Sequence, residues 1–259
     1  MKVSTFRFKR FEVVNERSAM KVNTDGVLLG AAMTIRPEDR CMLDIGTGTG
    51  TIALMVAQRA FGGEIPGQAG NDGEDTREES GVIRIDAIDI DEPSATEAAM
   101  NFANSPWAEC LHAHNLSLDA FAASDDQKYD LIFSNPPYFE DSLTAPDERK
   151  STARHTSEGL SYRDIFEFAK ERLTDSGRVS LVLPADQEAA LCRYARMCGL
   201  HLFRILRIRT VPRKAPSRMI AEFSRQRCET LKEELLTIQN EGQYTQEYLS
   251  LTHDFYMFA

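Results

Sequence analysis

The stretch "CMLDIGTGTGTIALMVAQRAF", residues 41–61, decides the fold. "CMLDIG" is a short apolar run of the kind that forms a buried strand, and "TIALMVAQRAF" has the length and pattern of an apolar helix. Gly46, Gly48 and Gly50 lie between the two runs. Glycine permits a tight turn and lets the backbone approach a ligand closely. The stretch therefore predicts the first strand and ligand loop of an α/β fold, with a purely structural glycine turn as the alternative.

The spacing of the glycines narrows the choice of ligand. Thr51 stands where the dinucleotide pattern GxGxxG requires glycine, and the GK[ST] of a phosphate-binding loop is missing. An acid at the end of the next strand commonly binds ribose hydroxyls. Asp89 lies near the end of the apolar run "VIRIDAIDI", whereas Asp91, the competing candidate, is better suited to capping a helix. The pattern predicts a nucleoside site made by the glycine loop and Asp89.

The segment from Gly62 to Gly81 explains why Asp89 lies unusually far from the glycines. It carries six acids and one arginine, is rich in glycine and has few apolar residues. Such a segment cannot offset the entropy lost on ordering. We therefore predict a flexible insertion at residues 62–81, in a surface loop away from the site.

Strand-like runs alternate with helical runs along the remaining chain, which predicts a doubly wound, mostly parallel α/β sheet with helices on both faces. The runs "LFRILRIRTV" and "RMIAEFSRQ" are joined by a short link. Parallel strands need a longer crossover, so we expect an antiparallel pair at the sheet edge. The chain is interpreted as one domain over residues 1–259, in which residues 1–40 form an N-terminal hairpin and helix extension.

Composition limits the class of protein. The 259 residues are 42% hydrophobic, and no apolar run reaches the about 18 residues that suggest a membrane span. Five cysteines without a CxxC pair favour a reduced, cytoplasmic protein. The histidines do not cluster with cysteines, so no metal site is predicted. A net charge of −10 argues against nonspecific coating of nucleic acid, although residues 204–218 carry six bases and no acid.

The run "SNPPYF", residues 134–139, follows the apolar run "YDLIF" at a predicted strand end. With GxGxG and Asp89, it resembles the class I methyltransferases that use S-adenosylmethionine (SAM) and act on adenine N6, guanine N2 or glutamine N5. The resemblance implies a Rossmann-like methyltransferase sheet that holds SAM. It also implies that Asn135, Pro136 and Tyr138 are catalytic. The alternative is a Pro-Pro turn with a purely structural role.

The chemistry of an exocyclic amine explains this composition. The amine's lone pair is conjugated into its ring, and the Asn135 side-chain oxygen and Pro136 carbonyl can both accept its N–H bonds. Two such acceptors draw the nitrogen toward tetrahedral geometry, and the prolines hold them in place. Tyr138 can stack on the planar group, which is worth roughly 1–3 kcal/mol per base.

A closer resemblance covers nearly the whole chain. "FKRF", "MKVNTDGVLLGAA", "LDIGTGTG", "NPPYF" and "SRMIAEFS" together resemble the bacterial tRNA1(Val) (adenine-N6) methyltransferases. This resemblance implies SAM as methyl donor and tRNA as partner, with Thr24 near the methionine end of SAM and Asn115 near its adenine. That family often has an acid at the Asn115 position. The predicted cofactor-binding set is Thr24, Asp44, Gly46, Gly48, Gly50, Asp89 and Asn115.

The predicted RNA contacts lie beside the motif and in the basic run. They are Phe139, Arg149, Lys150, Arg154, Arg207, Arg209 and Arg213. We expect a monomer that binds tRNA, with no role for DNA or a membrane. The alternatives are an N5-glutamine protein methyltransferase, an N2-guanine RNA methyltransferase, and a non-catalytic SAM-binding or RNA-binding protein.

Overall fold

A computed structural model describes residues 4–62, 82–124, 126–137 and 159–259. The strands are β1 (Thr5–Arg7), β2 (Glu12–Val14), β3 (Cys41–Ile45), β4 (Arg84–Asp89), β5 (Leu111–Asn115), β6 (Tyr129–Ser134), β7 (Leu173–Pro184), β8 (His201–Arg209), β9 (Arg218–Ser224), β10 (Lys232–Thr237), β11 (Gln239–Asn240) and β12 (Gln243–Tyr244). The helices are α1 (Thr24–Ala32), α2 (Thr51–Ala60), α3 (Glu92–Ala103), α4 (Leu118–Ser124), α5 (Tyr162–Arg172), α6 (Glu188–Met197) and α7 (Gln246–Thr252).

Eight strands form the central sheet, in the order β10-β8-β9-β7-β6-β3-β4-β5. Neighbouring strands run parallel except at β9, which is antiparallel to both β7 and β8. The predicted doubly wound, mostly parallel sheet is confirmed. The predicted β8–β9 pair is also present, but β10 lies outside it and forms the edge. The sequence analysis missed β10 because "KEELLT" is polar and mostly exposed, as edge strands often are, and carries little apolar signal.

Two apolar layers cover the sheet. Leu131 and Phe133 of β6 pack into one layer, and Ile132 between them packs into the other. The alternation follows from the period of two in a strand. It also explains why the central strands read as continuous apolar runs, since both of their faces are buried.

The carboxyl ends of β3, β4 and β6 meet at one edge of the sheet. Strand order reverses here, because the chain goes from β3 outward to β4 and β5 and then returns to β6 on the other side of β3. Ligands of open α/β sheets bind in the crevice at such a switch point. The fold therefore places the predicted glycine loop and "SNPPYF" beside each other.

The N-terminal part of the chain lies over this edge. Strands β1 and β2 form an antiparallel hairpin, and residues 15–23, hereafter the strap, join β2 to α1. Asn23 caps α1 by accepting a hydrogen bond from the Gly26 amide at 2.8 Å. Across the described ranges, we find no helix that is long and apolar enough to cross a membrane.

Candidate active site

The glycine loop between β3 and α2 depends on its glycines. Gly46, Gly48 and Gly50 all have positive φ, which L side chains rarely adopt. A Cβ on Gly50 would also stand only 2.5 Å from the ring of Phe102. The loop is tied to β4, since the amides of Gly46 and Thr47 donate to the Ile88 carbonyl. The backbone of the glycine loop therefore turns at the sheet edge, where a ligand can approach it closely.

Asp89 lies directly beside this loop. Its Oδ2 accepts from the Gly48 amide at 2.8 Å and its Oδ1 from the Asp91 amide at 2.9 Å. Burial raises the pKa of Asp89, while these two amide bonds oppose the rise. Asn115 pairs with Asp89 in register, and its Nδ2 donates to the Asp89 carbonyl at 3.0 Å. Asp91 instead caps α3 through the Ser94 amide.

Asp44 lies beneath the glycine loop and is fully buried. Its Oδ2 accepts from the Thr47 hydroxyl at 2.7 Å, and its Oδ1 has no hydrogen-bond partner among the described residues. Burial raises the pKa of Asp44 to about 7, with the Thr47 bond lowering it and the nearby Asp89 charge raising it. Asp44 thus supports the loop from below instead of lining the cleft above it.

Asn135 follows β6 at the same edge. The Ser134 hydroxyl donates to the Ile45 carbonyl at 2.6 Å, which ties the end of β6 to the start of the glycine loop. Asn135 is buried, and its Nδ2 lies 3.5 Å from Sδ of Met20 in the strap. Pro136 is buried and Pro137 is exposed. The other predicted residues here, Tyr138, Phe139, Arg149, Lys150 and Arg154, lie outside the described residues.

A narrow cleft separates the strap from the glycine loop and reaches Asn135. Its lining comprises Met20, Lys21, Val22, Asn23, Gly26, Gly46, Thr47, Gly48, Thr49, Thr51, Ile52 and Asn135. The free volume is about 20 Å³, which is room for about one water molecule. A ligand the size of SAM therefore requires the cleft to widen. Thr24 is exposed and lies beside the lining residues Asn23 and Gly26.

The residues around the cleft have the chemistry to hold a nucleoside ligand once the cleft widens. A Cβ on Gly48 would stand 3.5 Å from the Met20 carbonyl and 3.4 Å from the Ser18 hydroxyl, so a side chain there would fill the space between loop and strap. Asp89 adds a carboxylate that can accept hydroxyl hydrogen bonds. The sequence reasoning missed Met20, because no local pattern marks a methionine that reaches a site from a loop.

The predicted basic residues differ in their surroundings. Arg207 pairs with Glu188 at 2.7 Å and with Glu233 at 2.7 Å. Arg209 donates to the Thr237 hydroxyl and the Pro212 carbonyl. Arg213 is exposed in the β8–β9 loop, and within the part of the chain that the structure describes no carboxylate pairs with it. Arg213 is therefore available to a phosphate, whereas the charge of Arg207 is already neutralised by two carboxylates.

No group of three or more histidine, cysteine or acidic side chains is placed to hold a metal ion among the residues that the structure describes. The histidine beside an acid in the sheet, His114, hydrogen-bonds to Asp86 at 2.8 Å. This hydrogen bond joins β5 to β4 and lies apart from the cleft lining.

Named relatives match nearly the whole chain. A tRNA1(Val) (adenine(37)-N6)-methyltransferase of Parabacteroides distasonis is 38% identical over 255 residues, which is 97% of both chains. An enzyme with the same description from Yersinia pseudotuberculosis is 37% identical and covers 97% of this chain and 92% of the relative. No protein-family model matches the chain.

Solved structures agree on the fold. A protein from Agrobacterium tumefaciens described as a predicted O-methyltransferase superposes with a TM-score of 0.58 at 16% identity, covering 89% of this chain and 96% of the other. A 16S rRNA N2 guanine methyltransferase from T. thermophilus, in complex with AdoMet and guanosine, gives a TM-score of 0.52 at 17% identity. It is matched over 87% of this chain and 52% of its own length. At such identities the likeness establishes the sheet architecture.

Proposed function

The chain belongs to the family of tRNA1(Val) (adenine(37)-N6)-methyltransferases, and on that premise we propose that it transfers a methyl group from SAM to the exocyclic N6 of an adenine in tRNA. By resemblance, the adenine lies near the anticodon of a valine tRNA. The monomeric state and the cytoplasmic location remain predictions.

The observation that carries this proposal is the position of Asn135. It follows β6 and lines the same cleft as Gly46, Gly48 and the strap. An amide beside the loop that would hold SAM can contact both the methyl donor and an incoming amine. Its burial keeps water away, so that its hydrogen bonds are stronger than at an exposed site.

The residues divide the work between holding SAM and orienting the amine. The glycine loop and Asp89 would hold SAM, whose positively charged sulfur supplies an electrophilic methyl group. The Asn135 oxygen and the Pro136 carbonyl would accept the two N–H bonds of the amine and aim its lone pair. Preorganised acceptors of this kind cost no reorganisation when positive charge develops on the nitrogen. The methyl group would then pass directly from SAM to the positioned amine, without a covalent enzyme intermediate.

The β8–β9 loop is the proposed contact for the tRNA backbone among the described residues. It leaves the sheet at the carboxyl end of β8, on the same edge as the cleft. Arg218 at its far end pairs with Asp25 at 2.8 Å, which ties the loop to the first turn of α1 beside the cleft. Exposed Arg213 and Lys214 project from this loop. They can meet phosphates while the overall charge of the chain remains negative.

Labelled SAM and total cellular tRNA provide the test. The protein is incubated with both, and the tRNA is digested and its nucleosides identified by mass spectrometry. We expect label in N6-methyladenosine. Label in N2-methylguanosine, or only in protein, would contradict the proposal and favour the guanine or glutamine methyltransferases. SAM binding without any transfer would favour a binding protein.

A further inference from the structure

One face of α3 holds the strap over the glycine loop. Ser94, Glu97 and Asn101 lie at helical spacing on this face, and each is only 2% exposed. Buried polar groups are retained when they are hydrogen-bonded, so the partners of these three side chains show what the face does.

Glu97 makes the central contact. Its Oε1 accepts from the backbone amides of Glu16 at 2.7 Å and Arg17 at 2.8 Å, and its Oε2 accepts from the Ser18 amide at 3.0 Å. Three consecutive amides of the strap therefore converge on one carboxylate. Hydrogen bonds to an ionised acceptor are shorter and stronger than neutral ones.

Ser94 and Asn101 extend this contact toward the cleft. The Ser94 hydroxyl lies 3.0 Å from the Ser18 hydroxyl, which in turn lies 3.0 Å from the Met20 carbonyl. Asn101 donates to the Thr49 carbonyl in the glycine loop at 2.9 Å and accepts from the Val14 amide at 2.8 Å. The same helix face thus binds both walls of the cleft.

We infer that Glu97 is a positioning residue for SAM, which acts by docking the strap and so placing Met20, Val22 and Asn23 against the glycine loop. The inference rests on the proposed SAM site. Met20, Val22 and Asn23 line the cleft, whereas Glu97 lies behind the strap and does not. Glu97 need not touch SAM to control how often its site is complete.

The size of the effect follows from this geometry. Removing the carboxylate leaves three amides of the strap without their acceptor, and the docked state loses population. Apparent affinity falls in proportion to the population of the binding-competent state. A strap docked one tenth of the time would raise the Kd for SAM about tenfold.

The test compares Glu97→Ala with Asp130→Ala. Asp130 likewise uses one oxygen to accept two backbone amides, of Arg40 at 2.9 Å and Cys41 at 3.0 Å, but it lies near the start of β6, at the opposite edge of the sheet. Calorimetry gives the Kd for SAM, and hydrogen exchange reports the amides of Glu16, Arg17 and Ser18. We expect Glu97→Ala to weaken SAM binding about tenfold and to speed exchange in the strap. Asp130→Ala should change only the melting temperature.

Glu97→Gln guards against a variant that fails to fold. Its single amide oxygen can still accept from Glu16 and Arg17, but its NH₂ group would face the Ser18 amide. We therefore expect intermediate SAM affinity, with a larger change in KM for SAM than in kcat. Unchanged affinity in both Glu97 variants would overturn the inference, and so would weakened affinity with unchanged strap exchange. Calorimetry and hydrogen exchange need no tRNA, so a failure of the proposed methylation would remain distinguishable.

Discussion

Two carboxylates beside the glycine loop and two buried carboxylates elsewhere in the sheet are held in opposite ways. Asp44 and Asp89 accept hydrogen bonds from backbone amides or a hydroxyl, and no described cation forms a salt bridge with either. The pKa of each is raised, chiefly by burial.

Two buried acids away from the cleft, Glu222 and Asp86, have arginine partners. Glu222 is fully buried and bound by Arg204, and Asp86 is bound by Arg84 and His114. Burial would raise the pKa of Asp86, but the hydrogen bonds from His114 and Arg84 hold it below its usual range. The protein neutralises these charges internally.

The difference indicates which carboxylate could meet a bound cation. An acid paired with arginine stabilises the fold, whereas Asp89 is held by amides and forms no salt bridge with a described cation. The sulfonium of SAM would be that bound cation. Variants on the two sides of this comparison should therefore separate stability from SAM binding and catalysis.

Glu222→Ala should have the largest effect, and it should act only on the stability of the fold. Breaking a buried ion pair costs about 3–5 kcal/mol because the remaining charge is left without its partner. We expect the free energy of unfolding in urea to fall by this amount. Glu234→Ala removes a partly exposed partner of the same Arg204 and should cost about 0–1 kcal/mol. Equal losses would show that burial of the pair is unimportant.

Asn135→Ala should slow the reaction and leave the stability of the fold unchanged. Loss of one preorganised polar group should lower kcat on tRNA about 10²-fold or more. SAM affinity measured by calorimetry should stay nearly constant, because Asn135 is proposed to bind the amine. The matched control is Asn104→Ala, at the exposed end of α3, which should leave kcat unchanged. If Asn135→Ala kept the wild-type kcat, the proposed role of Asn135 would be wrong, and "SNPPYF" would be only a stiff turn.

Asp44→Asn tests the raised pKa. With a pKa of about 7 in the folded protein, Asp44 keeps a proton that the unfolded chain releases from about pH 4 upward. The free energy of unfolding should therefore fall as pH rises toward 7, by at most about 1.4 kcal/mol per pH unit from this group. Urea titrations between pH 5 and 8 should show a smaller fall in Asp44→Asn. Parallel curves for the two proteins would rule out a raised pKa.

Asp89→Ala should weaken SAM binding severalfold or more, since the ribose hydroxyls would lose their acceptor. Asp91→Ala is the control, because it removes a helix cap worth about 0.5–2 kcal/mol of stability two residues away. Calorimetry should show the larger loss of SAM affinity in Asp89→Ala. A larger loss of SAM affinity in Asp91→Ala would indicate that Asp91, and not Asp89, contacts the ribose.

Arg213→Ala should have the smallest effect, on tRNA binding only. Each lost phosphate contact should reduce the slope of log affinity against log salt by about one. Arg207→Ala should change the slope less, since Glu188 and Glu233 already neutralise that guanidinium. Filter binding over a range of salt concentrations measures both. Equal slopes for Arg207→Ala and Arg213→Ala would remove the proposed distinction between them.

The sequence by itself determined the parts of the site that depend on chain neighbours. Positive φ at Gly46, Gly48 and Gly50 requires glycine, so the turn was visible as a local pattern. Asp89 and Asn135 were visible because each lies where an apolar strand ends, and parallel strands bring their carboxyl ends to one edge. The mostly parallel sheet was predicted from the alternation of strand-like and helical runs, and the family from the resemblance of "LDIGTGTG", "NPPYF" and the other quoted motifs to known members.

Only the tertiary structure decided how the cleft is closed. The contacts of Glu97 with the strap join residues about 80 positions apart, and neither helical nor strand periodicity encodes such a pair. Met20 and Ser18 likewise lie in a loop without a pattern of their own. Arg207 and Arg213 look equivalent in the sequence, but packing of α6 and β10 beside β8 supplies carboxylates to Arg207 and none to Arg213 among the described residues. Their difference arises because charge is neutralised by neighbours in space, which the order of residues does not specify.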